Sequence, residues 1–161
     1  MTLRLIFATS ALLLGTAASV HADDAPATSA ISHEPFYAGI VSHAQGLLAQ
    51  SDAFATAPDP RSGPDFAAFA ASVTALSADD LKGHYDLRAR GTDNDLKCIL
   101  MGVSRDLPLK LDAVRKAPAG PGLTAAFTAL SQDISDNIDV IVTPETVESG
   151  LDCVIEFGKG A

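Results

Sequence analysis

The side chains of this chain best suited to hold a cofactor are His43, His84, Asp80 and Met101. His43 stands between Ile40 and Leu47, where helical spacing calls for an apolar residue. An imidazole there could ligate a metal ion or a haem iron, or act as a pH switch. It could equally be a core-edge histidine bonded to a neighbouring carbonyl. His84 follows Asp80 by one helical turn, with Asp79 beside it. A carboxylate and an imidazole at that spacing can share a cation, although two ligands alone make a weak, exposed site. A charge pattern at a helix start explains the same residues. Met101 could serve as a soft axial ligand if the fold brought it to His43 or His84; among leucines it could also be gap-filling core. Covalent haem is excluded, because Cys153 is followed by neither a second cysteine nor a histidine at the required positions. His33 lies beside a polar leader and suggests no chemistry. The cofactor reading is therefore a metal ion or non-covalent haem held by His43 with Met101 or His84, or no cofactor at all.

Catalytic signatures are missing. There is no Gly-x-Ser-x-Gly elbow, no Ser-x-x-Lys, no His-Glu-x-x-His and no phosphate-cradling glycine loop. The carboxylates are expected on outer faces or at helix starts, where solvent and the helix dipole account for them. Tyr85, Arg88, Arg90, Lys97 and Arg105 gather basic and aromatic side chains in the middle of an acidic chain. Tyrosine and arginine are favoured interface anchors, but Asp79, Asp86, Asp93 and Asp106 are at hand to pair with the cations.

Residues 1–22 have the build of a Sec-type signal peptide: Arg4, then the apolar run Leu5 to Leu14, then Val20-His21-Ala22 as a cleavage site after Ala22. The run is too short for a membrane span, and nothing later approaches that length. All twenty acidic residues lie beyond Ala22, against ten of the eleven basic ones. Such a balance repels nucleic acid and anionic membranes, and keeps a small domain dissolved. Cys98 and Cys153 are the chain's two cysteines. In a periplasmic or secreted chain they predict one structural disulfide.

The elements that must position these residues all read as helices. Residues 23–32 are a polar, alanine-rich leader expected to be disordered, and 33–161 a single all-α domain. A first helix runs to about Ala55 with Phe36, Ile40, His43, Leu47 and Phe54 on one face. After the proline-rich loop 56–64, a second helix spans Asp65 to Leu76. Ser77-Ala78-Asp79-Asp80 resembles a capping box and predicts a separate third helix from Leu81 to Arg90, stopped by Gly91. The helix from Thr92 to Lys116 is central. Leu96, Ile99, Leu100, Val103, Leu107, Leu111 and Val114 line one side, and Cys98, Met101 and Leu109 the other, with a kink expected near Ser104 from Pro108. Leu123, Phe127, Leu130, Ile134, Ile138 and Ile141 stripe the next helix, and Thr143-Pro144-Glu145 opens a last one ending at Gly158.

The fold expected is thus an irregular antiparallel bundle of five or six helices, stapled by one disulfide. The function expected is non-catalytic: an exported protein that acts on another exported protein, as an inhibitor, a toxin-neutralising protein or an accessory factor. Cys98→Ser should lower the melting temperature, by an amount matching about 2–4 kcal/mol for a bridge closing a long loop. Reductant should produce a similar fall in wild type, read by thermal unfolding with and without dithiothreitol.

Overall fold

In the computed structural model, the described residues are 29–143 together with Cys153, Phe157 and Gly158. They form four α-helices and two short 3-10 turns, without strands. The helices are α1 (Pro35–Thr56), α2 (Pro64–Arg90), α3 (Asn94–Lys116) and α4 (Pro121–Val142). The signal peptide and the start of the final helix lie outside the described residues. None of the described helices is long and apolar enough to cross a membrane.

The described helices number four because the expected second and third are one. Ser77 to Asp80 contains no residue that breaks a helix, and α2 runs through it to Gly91, whose left-handed backbone (φ 67°) ends it. Ser77 has a different task from capping. Pro108 sits inside α3 and has no N–H to give the carbonyl of Ser104, four residues earlier. Ser77 Oγ donates to that carbonyl at 2.7 Å. α3 thus continues through its proline because α2 supplies the missing donor. Its far end is closed in a similar way. Arg61 Nη1, in the loop before α2, donates to the carbonyl of Ala117 at 2.6 Å and to those of Val114 and Arg115. Asp59 grips the same guanidinium, which holds the Asp59 carboxyl down at about 2.

The helices neighbour one another antiparallel, as the cross-helix pairs show. Tyr37 reaches Gly83 and Asp86 while His43 reaches Ser72, so α1 and α2 run oppositely. Ser77 with Ser104 and His84 with Lys97 do the same for α2 and α3. Ser51 with Ser131 and Ala55 with Thr124 do so for α1 and α4. The closest packing is α2 on α3 and α1 on α4. At Gly83 the three helices α1, α2 and α3 crowd together: a Cβ there would lie 3.0 Å from Leu100 Cδ1 and 3.3 Å from Tyr37 Cε1.

The expected stripe of α3 is in the core, with Leu100, Leu107 and Val114 wholly buried and Ile99 partly so. Its second side is buried only over its first half. Cys98 and Met101 pack with Cys153, Leu81 and Phe157, whereas Leu109 is 66 % exposed. The Cys98–Cys153 disulfide is formed, and Phe157 rests against Gly102. On α1, Ile40, Leu47 and the flanking Ala44 are inside as expected and Phe54 packs against the core, but Tyr37 is inside in place of Phe36, which is outside. The Tyr37 hydroxyl, donating to Asp86 Oδ2 at 2.8 Å, gives that ring a reason to point inward which Phe36 lacks. The leader also differs over its last residues. Ile31 is buried, and the Ser29 backbone N–H bonds the carbonyl of Val142 at the end of α4.

The link between Ser77 and Pro108 can be measured. Ser77→Ala should cost about 1–3 kcal/mol by leaving a buried carbonyl without a donor. In a Pro108→Ala background, where residue 108 regains its N–H, the same change should cost clearly less. Denaturant unfolding of the four proteins gives the coupling; equal costs in both backgrounds would separate Ser77 from Pro108.

Candidate functional site

The buried face of α2 runs Phe66, Phe69, Val73, Leu76, Asp80, His84 and Leu87. Asp80 and His84 thus hold stripe positions and are wholly inaccessible. This corrects the expectation of a surface pair at a helix start, and follows from α2 being continuous.

His84 Nδ1 lies 2.8 Å from the carbonyl of Lys97, so this nitrogen must carry the proton. Burial holds the imidazole below its usual range. The bond to the Lys97 carbonyl opposes this, and the charges of Arg88, Lys97 and Arg105 add to it. His84 is therefore neutral at pH 7, with Nε2 bare and, among the described residues, without a hydrogen-bond partner. The ring of Tyr85 stands edge-on to it at 5.1 Å between centroids.

Asp80 points instead at α4. Its carboxyl oxygens lie 3.2 and 3.1 Å from the Asn137 side-chain amide, and Asn137 is also inaccessible. Burial raises the Asp80 carboxyl to about 8, with Asn137 opposing and the charges of Asp79 and Asp133 adding. Asp133, one turn before Asn137, is raised to about 6 by burial and by Asp106, with Lys110 opposing. Among the described residues, Asp133 Oδ2 and Asn137 Oδ1 have no hydrogen-bond partner. The expectation that carboxylates sit on outer faces fails for these two aspartates. Asn137 was not singled out from the sequence; its signal was a place on the stripe of α4, between Ile134 and Ile141.

The other proposed ligands have separate neighbours. His43 is half-buried, its Nε2 lying 2.6 Å from the hydroxyl of Ser72. Met101 packs against the disulfide, Leu81 and Phe157. Among the described residues, no group of three or more histidine, cysteine or acidic side chains is arranged to hold a metal ion. A surface hollow beside Ser29 and Ile31 includes Glu34 and Arg90, but none of His43, His84 and Met101.

The structure divides the expected interface set. Arg90 turns toward α1, where it pairs with Glu34 at 2.8 Å and Asp86 at 3.1 Å. Arg88 on α2 and Lys97 and Arg105 on α3 lie near enough to His84 for their charges to act on it. Arg105 stacks over Phe157, 5.0 Å from the ring centroid, and donates to its carbonyl. Tyr85, whose ring neighbours that of His84, is 49 % exposed. The arrangement offers an aromatic ring at the surface, fixed from below by a histidine that is itself tied to α3.

Comparison with known protein families, with characterised proteins and with solved structures returned no match.

Proposed function

We propose that this is an exported, non-catalytic protein that acts by contact with another exported protein, through the α2–α3 face around Tyr85. The observation that carries the reading is the setting of Tyr85. Its ring is half-exposed, packed edge-on against an inaccessible histidine that bonds the neighbouring helix, with the Arg88 side chain exposed one turn further on. An aromatic ring held in place before binding loses little freedom on binding, which is what an interface anchor requires. The signal-like residues 1–22 and the Cys98–Cys153 bridge fit an oxidising compartment outside the cytoplasm. Inhibition, toxin neutralisation and assembly support are the kinds of task such a module performs.

The carrier reading, with a metal ion or non-covalent haem on His43 with Met101 or His84, is less favoured on electrostatic grounds. Arg88, Lys97 and Arg105 all act on His84, and positive charge of that density repels a cation.

The test is site-specific photo-crosslinking in the exporting cell. A photo-reactive residue at position 85 should give a discrete adduct with one partner, weakened several-fold by Arg88→Ala. The same residue at the exposed Gln132 of α4 should give none. Equal adducts from both positions, or none from position 85, would remove the Tyr85 face as the contact.

A further inference from the structure

The contact between α2 and α4 holds an ionisable group that partner binding at Tyr85 does not use. Asp80 is wholly inaccessible in the middle of a helix, and among the described residues its carboxyl receives hydrogen bonds from the single amide nitrogen of Asn137. The titratable and polar groups around it are Asp79 and His84 from α2, and Asp133 and Asn137 from α4. Behind Asp133 stand Asp136 on α4, and Asp106 and Lys110 on α3. Among the described residues, the charges that act on Asp80 are those of Asp79 and Asp133, while Lys82 pairs with Asp79 and His84 is neutral. Lys110 acts on Asp133 instead.

A buried carboxylate with one amide donor is poorly compensated. On the other side of the contact, Asn137 Oδ1 is a buried acceptor that lacks a donor. A single proton on Asp80 answers both deficits: it removes the charge, and it creates an O–H donor beside an amide whose oxygen has none. An acid and a carboxamide can then bond in both directions across the helix pair.

We propose that the Asp80–Asn137 contact is a proton-operated latch between α2 and α4. It is closed while Asp80 is the neutral acid, and weakened when alkaline conditions draw the proton into solvent. No other bond is made or broken.

The direction in pH follows from linkage. An unfolded aspartate gives up its proton near pH 4, whereas folded Asp80 keeps its own to about 8. The folded state therefore binds the extra proton between those values, and stability falls as pH rises through them. His84 works in the opposite sense, but only below its ordinary value of about 6.5. Asp133 has the same sign as Asp80 but, raised only to about 6, is already about nine-tenths ionised at pH 7. The range from about pH 7 to 9 thus belongs to Asp80.

Carboxyl-carbon NMR of the whole protein, labelled at aspartate, tests this directly. The Asp80 signal should titrate with a midpoint at or above about pH 7, and the Asn137 side-chain amide signal should move with the same midpoint. Wild type should lose about 5 °C or more of melting temperature between about pH 7 and 9. Asp80→Asn, which keeps the shape of the neutral acid, should stay level over that range, while Asp133→Asn should fall as wild type does. The latch is overturned if the Asp80 carbon titrates in the ordinary range below about pH 5, or if Asp80→Asn keeps the wild-type slope. Should Asp80→Asn not fold, the wild-type titration alone decides.

Discussion

The structure depends on burying α3 from two directions. One side of the helix gives Leu96, Leu100, Leu107, Leu111 and Val114 to the main core. The other gives Cys98 and Met101 to a smaller cluster with Leu81, Cys153 and Phe157. A helix in that position has no solvent-facing side along its first half on which to hide a defect, so each of its weak points is mended by another segment. The carbonyl orphaned by Pro108 takes a donor from Ser77 on α2. The carbonyls at its C-terminal end take theirs from Arg61. The carbonyl of Lys97, near its start, takes another from His84. These three ties draw α2 and the loop before it onto α3, and the disulfide secures the opposite flank.

Three contacts of polar residues inside the bundle each join two helices at one place. Ser51 meets Ser131 between α1 and α4, Asp80 meets Asn137 between α2 and α4, and His84 meets the α3 backbone. Apolar stripes tolerate sliding by a turn, because leucine can replace leucine in most contacts. A buried polar atom displaced by a turn loses its partner and incurs a desolvation penalty of about 1–3 kcal/mol. Ser51–Ser131 and the His84 bond thus fix the register of antiparallel neighbours, and Asp80–Asn137 ties the parallel helices α2 and α4 across the bundle. Asp80 and His84 perform this service with groups that titrate, so register in this fold is tied to protonation.

Much of the architecture could be read from residue order, and the misreadings have definite causes. The stripe of α3, the stripe of α4, the stop at Gly91 and the pairing of Cys98 with Cys153 all follow from periodicity and chemistry visible in the chain. The division of α2 was an error of local over global pattern. Ser77-Ala78-Asp79-Asp80 has the form of a cap, yet the apolar stripe from Phe66 to Leu87 continues through it without a break in phase. Following that phase would have placed Asp80 and His84 in the core at once. At the start of α1 the inward ring is Tyr37 rather than the more hydrophobic Phe36; the hydrogen bond to Asp86 that orders them spans 49 positions of chain. The partnerships of Ser77, Arg61 and Asn137 were illegible for the same reason. Each depends on which turn of one helix faces which turn of another, and that information exists only once the bundle is assembled. The Tyr85 face lay between these cases: its residues were noticed, but the separation of Arg90 from Arg88 and Arg105 needed the helix in place.

Held on two flanks, α3 should be the most firmly embedded element of the bundle. Native-state amide hydrogen exchange measures this residue by residue. The account predicts that amides from Leu100 to Leu111 exchange among the slowest in the oxidised protein, only through opening of the whole bundle. It would be contradicted if those amides exchanged by local opening while α1 or α4 remained protected.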